Sequence, residues 1–349
     1  MGLMVARAPD GYRPAMTDRP ETDLTVAVTG PTGTFGAGLV PLLEADDRVR
    51  RVVGVARSAV DPAERGWVKT TYRRGDVRDP AALAEAFAGA DVVVHLAFAI
   101  VGGAAEQTRA INVDGTLNAF HAAAEAGARR FVYASSVAAY GFHADNPVGI
   151  GEDWPTRPAD RLFYAREKAE LEGLLREAAA QHDGIDLYLL RPPIVVGPNA
   201  VGGKARLPEW AAGLGRLLQS VPKRLPPVPV LVPDLPLQLV HEGDVGRALL
   251  QCVVAAGPPG AYNIAADDTL TAADVVRILG GVPVPLPAAP AHAAARLAAA
   301  LPGLPQPAQW IEALAHPALM DTTRAKTELG WSPRVSAADA LRETLGLST

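Results

Sequence analysis

The chain has 349 residues, 49% of them hydrophobic and 20% charged, with a net charge of −5 and one cysteine, Cys252. That composition excludes a disordered protein, and it leaves no general basic field for holding a nucleic acid. An intrachain disulfide and a cysteine-based zinc site are excluded as well, and no apolar run approaches the ~20 residues of a membrane span.

The first residues, 1–22, hold prolines and acids without an apolar core. They read as a flexible extension rather than a signal peptide; Met16 is an alternative start, and the expected address is cytoplasmic. Leu24-Thr-Val-Ala-Val-Thr29 is a β-rich run that ends in glycines, and a helix is expected over Phe35–Ala45. Strands follow at Val52–Ala56 and Thr70–Arg73, then a helix at Pro80–Ala88. Asp91-Val-Val-Val-His-Leu-Ala97 has the continuous apolar character of a strand buried on both faces. A helix over Glu106–Ala126 ends at Gly127, a residue suited to a C-cap. Strands at Arg130–Ser135 and Asp186–Leu190 flank a helix near Tyr164–Ala180. Strands and helices alternating at this spacing give βαβ units and a doubly wound parallel α/β sheet of Rossmann type.

After Arg191 the pattern changes. Residues 222–236 hold Pro222, Pro226, Pro227, Pro229, Pro233 and Pro236, which restricts them to loop or edge. A short helix is expected at 291–301. The division read from this is a dinucleotide-binding domain over 23–192 and a smaller substrate lobe over 193–349. The chain is expected to return to the sheet near Leu239–His241 and Tyr262–Ala265.

Thr29-Gly-Pro-Thr-Gly-Thr-Phe-Gly36 places Gly30, Gly33 and Gly36 directly between a strand and a helix. In a dinucleotide site the first glycine allows a tight turn, the second lets the backbone approach a diphosphate, and the third lets the helix pack close to the sheet. Thr32, Thr34 and Phe35 belong to the same loop. The free N–H groups and positive end of the helix then face the anion. The second strand ends in Val55-Ala56-Arg57-Ser58, where an NAD site carries an acid roughly 20 residues on. Arg57 in that place favours NADP over NAD through its 2′-phosphate; the alternative is a solvated strand-end charge.

Tyr164-Ala-Arg-Glu-Lys168 puts a phenol and an ammonium on one helix face. A phenol near pKa ~10 is a poor acid–base group until a cation stabilises its anion. Ser135-Ser136 lies at a strand's C-terminal end, where parallel sheets bind ligands.

Together these motifs resemble the extended short-chain dehydrogenase/reductases of the NAD-dependent epimerase/dehydratase type, over about residues 24–345. The resemblance rests on the glycine loop, Gly75-Asp76-Val77, His95-Leu96-Ala97, Asn112-Val113-x-Gly115-Thr116, Ser135-Ser136, Tyr164-x-x-x-Lys168 and Arg191-Pro192. Further pieces are Gln238–Asp244, Tyr262–Ala265 and Leu329–Pro333. It implies Ser136 as the catalytic hydroxyl, Tyr164 as proton donor or acceptor, and Lys168 as its modulator and ribose ligand. It implies Asp76 and Val77 at adenine, Leu96 and Ala97 along the cofactor, and Pro192 at the nicotinamide. His95 and Cys252 are expected to be structural. Asn112 is open between helix placement and a proton relay.

The sequence departs from nucleotide-sugar members at three places. Val137-Ala138 replaces the acid pair of the dehydratases, Ile194 stands where an Asn is usual, and Leu237 where an Arg clamps a diphosphate. Together with the Pro-, Val- and Leu-rich Val228–Leu237, these point to a small, weakly charged carbonyl or alcohol substrate. Lys204, Arg206, Lys223 and Arg224 are alternative clamps. A sugar epimerase with tightly bound NAD is the second enzymatic reading, a cofactor-binding sensor or assembly protein the non-enzymatic one. A homodimer is compatible with all three.

Overall fold

The computed structural model describes residues 22–100, 105–157, 162–200, 229–233, 235–286 and 316–347. The expected N-terminal extension (apart from residue 22), the helix at 291–301, Pro222, Pro226 and Pro227, and the four alternative clamp residues lie outside them.

Seven parallel strands form the main sheet, in the order β10-β6-β5-β4-β1-β2-β3. They are β1 (Leu24–Thr29), β2 (Val49–Ala56), β3 (Thr70–Arg74), β4 (Val92–His95), β5 (Arg130–Ala134), β6 (Asp186–Arg191) and β10 (Gly260–Asn263). Their apolar runs are buried on both faces. Val26, Val28, Val52, Val92 and Val94 turn to a layer containing α1 (Thr34–Ala45) and α6 (Glu242–Val253), with Leu39, Leu43, Val245, Leu249 and Cys252. Ala27, Val53, Val93, Phe131 and Tyr133 turn to the opposite layer, built by α2 (Pro80–Phe87), α4 (Gly115–Glu125) and α5 (Phe163–Ala180). Cys252 is packing, as expected, and burial pushes its thiol pKa up.

The helix expected over Glu106–Ala126 is interrupted. It runs as α3 (Ala105–Arg109), a π-helical turn (Ala110–Asp114) and then α4. A π turn widens the helix by one residue and is a frequent companion of functional sites; here it carries Asn112.

Tyr262 returns to the main sheet through β10, as expected. Leu239–His241 does not. It lies in β9 (Pro236–His241), the middle strand of a separate three-stranded sheet with β7 (Ile194–Val196) and β11 (Thr269–Thr271). Of the prolines, Pro229 and Pro233 bound β8, which among the described residues pairs with β12 (Val282–Leu286) alone, and Pro236 opens β9. Both positions spare the ladder an N–H it lacks. The remaining α-helices among the described residues are α7 (Ala272–Ile278), α8 (Thr323–Glu328) and α9 (Ala337–Leu345). Trp331 donates its indole N–H to the Asp244 carbonyl at 2.9 Å, and the Asp244 carboxylate accepts the backbone N–H groups of Arg334 and Val335. Two late sequence motifs are thus one tertiary contact.

α1 and α6 cross at closest approach through glycine. A Cβ on Gly38 would stand 2.3 Å from the Glu242 carbonyl oxygen, and one on Gly246 would stand 2.2 Å from that of Gly38. Real side chains do not fit there.

Candidate active site

The strand order reverses between β1 and β4, with β2 and β3 added on one side and β4, β5 and β6 on the other, and the crevice outside this switch point is where such sheets take ligands. The loop after β1 runs into it. Gly30 has φ +68°, and a Cβ there would press on the Leu96–Ala97 backbone at 3.1–3.2 Å. Leu96 and Ala97 therefore border the glycine loop. Gly36 plays a different part from the one expected: a Cβ would strike the Pro31 carbonyl at 2.3 Å, so it closes the loop on its own helix rather than the helix on the sheet. At Gly33 the only atom among the described residues within reach of a Cβ is the Gly30 carbonyl oxygen, at 3.5 Å. Gly33 also caps α1 without a side-chain bond, and the first turn holds no acid. An open backbone at an uncompensated helix N-terminus fits a dinucleotide diphosphate.

Arg57 follows β2, is exposed and has no ion pair among the described residues. Its carbonyl accepts the Arg74 Nε–H at 2.9 Å, which brings a second guanidinium to the same strand ends. Asp76 is engaged by Arg78 through both carboxylate oxygens. That pairing, with Arg57 nearby, holds its carboxyl below the ordinary range against partial burial. The Val77 side chain packs into the core against Gly115, so only its backbone remains to border the crevice.

His95 ends β4 in full burial. Its Nδ1 lies 2.9 Å from the Thr29 hydroxyl and its Nε2 3.1 Å from that of Thr116. Thr116 spends its proton on the Asn112 carbonyl, so Nε2 is the protonated nitrogen and Nδ1 accepts from Thr29. Burial first, and the Lys168 charge second, push its pKa down to about 3. His95 is a neutral peg, as the sequence suggested.

The two strand-end serines are used differently. Ser135 donates to Glu172 at 2.6 Å. Glu172 is held in turn by Arg191, through Nε at 2.8 Å and a second nitrogen at 2.5 Å. Burial would raise the Glu172 carboxyl, but Arg191 and Ser135 bring it below its ordinary value. Arg191 also donates to the Tyr140 hydroxyl at 2.6 Å, and Tyr140 donates to Asn263 at 2.8 Å. Ser136, by contrast, accepts only the Ala138 N–H, at 3.2 Å, and its own proton has no acceptor among the described residues. The Val137 N–H donates to the carbonyl of buried Pro192 at 2.9 Å, which ties the end of β6 to this turn.

Tyr164 and Lys168 are both buried on α5. Lys168 Nζ donates to the Ala134 carbonyl at 2.7 Å and to the Tyr133 hydroxyl at 3.0 Å. It stands 3.7 Å from the centre of the Phe98 ring and 5.8 Å from that of Tyr164. Burial, then the neighbouring Tyr164, Glu172 and Glu167, raise the Tyr133 pKa well above normal, so it serves as a neutral anchor. Asn112 is fully committed: Oδ1 accepts the Ala99 N–H at 2.7 Å, and Nδ2 donates to the Ala99 carbonyl at 2.8 Å and to Glu167 at 2.7 Å. Placement rather than proton relay is its visible role.

Ser136, Tyr164, Lys168 and Pro192 thus meet at the C-terminal edge of β5 and β6, beside Leu96–Ala97 and the glycine loop. Arg57, Asp76 and Val77 lie at the far end of the same edge. Leu237 is half-buried and paired with Leu270, while Ile194 is 41% exposed on β7. Glu172, Tyr133, Glu167 and Phe98 were not singled out from the sequence. Glu172 alone left a signal, standing four residues beyond Lys168 on the same helical stripe. No group of three His, Cys, Asp or Glu side chains suited to a metal ion occurs among the described residues, and none of their helices is long and apolar enough to cross a membrane.

The sequence model of the NAD dependent epimerase/dehydratase family matches residues 26–265. An uncharacterized protein of Mycobacterium tuberculosis is 28% identical over 333 residues, covering 93% of this chain and 84% of its own length. Among solved structures, the Bordetella bronchiseptica enzyme WbmG in complex with NAD superposes with a TM-score of 0.67 at 21% identity, covering 96% of this chain and 95% of that one. UDP-glucose 4-epimerase from Thermotoga maritima, solved with UDP-glucose, gives a TM-score of 0.66 at 19% identity, covering 93% and 98%.

Proposed function

Because this chain belongs to the NAD dependent epimerase/dehydratase family, we propose that it is an oxidoreductase that transfers hydride between a nicotinamide cofactor, preferentially NADP, and a small carbonyl or alcohol. Ser136 carries this assignment. Its hydroxyl proton has no acceptor among the described residues, while that of its neighbour Ser135 is consumed by Glu172, and it shares the strand edge with the Tyr164–Lys168 face. A bound nicotinamide supplies the redox chemistry. The chain's own groups do the rest. Ser136 donates a hydrogen bond to the substrate oxygen, where charge develops. Tyr164 gives or takes the proton at that oxygen. Lys168, held in place by Ala134 and Tyr133, keeps a positive charge beside the phenol and is the group that reaches the ribose. Gly30–Gly36 and the start of α1 would receive the diphosphate, Leu96 and Ala97 would line the cofactor, and Pro192 would border the nicotinamide.

The preference for NADP rests on Arg57 and Arg74, two neighbouring cations at the ends of β2 and β3 that form no ion pair among the described residues. Titration of both cofactors tests it. NADP(H) is expected to bind more tightly, and Arg57→Ala to weaken it alone, by roughly tenfold for one charge-assisted bond of about 1.5 kcal/mol. Equal or tighter binding of NAD(H) would refute the preference.

A second reading is a sugar epimerase retaining NAD, favoured by the likeness to an epimerase solved with UDP-glucose. Leu237 and Ile194 argue against it, since an apolar side chain cannot neutralise a diphosphate. The cofactor-loaded protein is expected to show no thermal shift with millimolar UDP-glucose; a clear shift would put the epimerase first.

A further inference from the structure

Asn112 grips both backbone groups of Ala99, which fixes the segment after β4. Phe98 and Ile100 flank that grip and project into one cluster with Ala138, Phe142, Leu162, Tyr164 and Ala165. Phe98 packs edge-on against the Tyr164 ring, 5.6 Å between centres, and lays its face over Lys168. Phe98 and Ile100 remain partly exposed beside Tyr164. Within this cluster Tyr164 is the only member with a polar side-chain atom. A hydroxyl or charge carried by the substrate against this cluster would therefore lose its water and find no polar partner among these described residues other than Tyr164.

We propose that Phe98, with Ile100 and Phe142, is the specificity-determining wall of this site, and that it selects carbonyl or alcohol substrates whose flanks are apolar rings or alkyl groups. This rests on Tyr164 and Ser136 being the polar contacts at the reacting oxygen. Asn112 is a positioning residue for the wall, acting through Ala99.

The test compares two ketones, 1-tetralone and dihydroxyacetone, with the NADPH-loaded protein. Turnover and ligand-induced thermal shift are measured for wild type, Phe98→Asn and Phe98→Leu. Wild type is expected to favour 1-tetralone in kcat/KM by at least ~10²-fold, about the discrimination an apolar pocket exerts against added hydroxyls. Phe98→Asn should cut that ratio ~10-fold, and Phe98→Leu should retain most of it, showing that the fold tolerates the loss of the ring. Equal use of the two ketones, or an equal drop for both in Phe98→Asn, would overturn the wall while leaving the oxidoreductase reading intact. Conversely, a thermal shift with 1-tetralone that Phe98→Asn abolishes, without turnover of either ketone, would uphold the wall and defeat that reading. A wild type that neither reduces nor binds 1-tetralone would overturn the wall.

Discussion

Ser135 and Ser136 are neighbours in the chain but belong to two regions of opposite character. Ser135 opens a buried polar lattice, running through Glu172, Arg191 and Tyr140 to Asn263, in which nearly every donor meets an acceptor. Ser136 borders a cleft where the polar tips are few and the surroundings apolar. A saturated network in a low-dielectric interior holds its members still. An unsaturated one has capacity left for a ligand. The same residue type one position apart is thus a fastener in one region and a candidate reagent in the other.

The strongest way to break this comparison lies in the cleft. Tyr164→Phe keeps the ring that packs on Phe98 and removes the hydroxyl. Turnover should fall by ~10²–10⁴-fold, the usual contribution of a general acid–base group, with cofactor binding retained. Steady-state kinetics and cofactor titration check it, and near-normal turnover would dissolve the distinction between the regions.

In the lattice the corresponding change is Glu172→Leu, which leaves the buried Arg191 without its carboxylate. Breaking such a pair costs about 3–5 kcal/mol, to be read from denaturant unfolding. Because part of that cost is the stranded charge, Glu172→Leu with Arg191→Met should recover much of it. A single variant as stable as the wild type would show that the lattice is not what holds α5 to β6.

The two serines give the finest comparison. Ser136→Ala should lower turnover by ~10–10²-fold, one hydrogen bond to developing charge being worth about 1.5–3 kcal/mol, with stability little changed. Ser135→Ala should do the reverse, costing about 1.5–3 kcal/mol of stability through the lost hydrogen bond to the charged Glu172 carboxylate, which keeps Arg191, while turnover per folded molecule stays near normal. If both serines move turnover equally, their roles are not separate.

Much of this was readable beforehand where a residue's role depends on its neighbours in sequence. Most strands of residues 24–191 announced themselves by apolar runs, the polar edge strand β3 excepted, the glycine loop by its position between strand and helix, and Tyr164–Lys168 by helical spacing. Roles set by distant partners were hidden. Glu172 looks like any glutamate on a charged helix until Arg191 is placed against it. Phe98 becomes a wall only because Asn112, in a π turn, grips Ala99 from thirteen residues further along the chain. The expectation that Gly36 serves the helix–sheet contact missed Pro31, the residue that needs the space. β7 and β11 are three residues each, too short for any period to show, so β9 was assigned to the wrong sheet.

The glycine crossing of α1 and α6 also bears on the order in which the molecule comes together as it is synthesised. Leu39 and Leu43 of the loop's own helix are buried in one cluster with Val245, Leu249 and Cys252, residues made some two hundred positions later. The cradle for the diphosphate is encoded near the start of the chain, but its helix acquires its covering layer only after Val253 has left the ribosome. β10, whose Asn263 completes the polar lattice, arrives later still. A nascent chain halted at the end of β6 would carry every glycine of the loop and both members of the Tyr164–Lys168 pair, yet the outer face of α1 would still be in water.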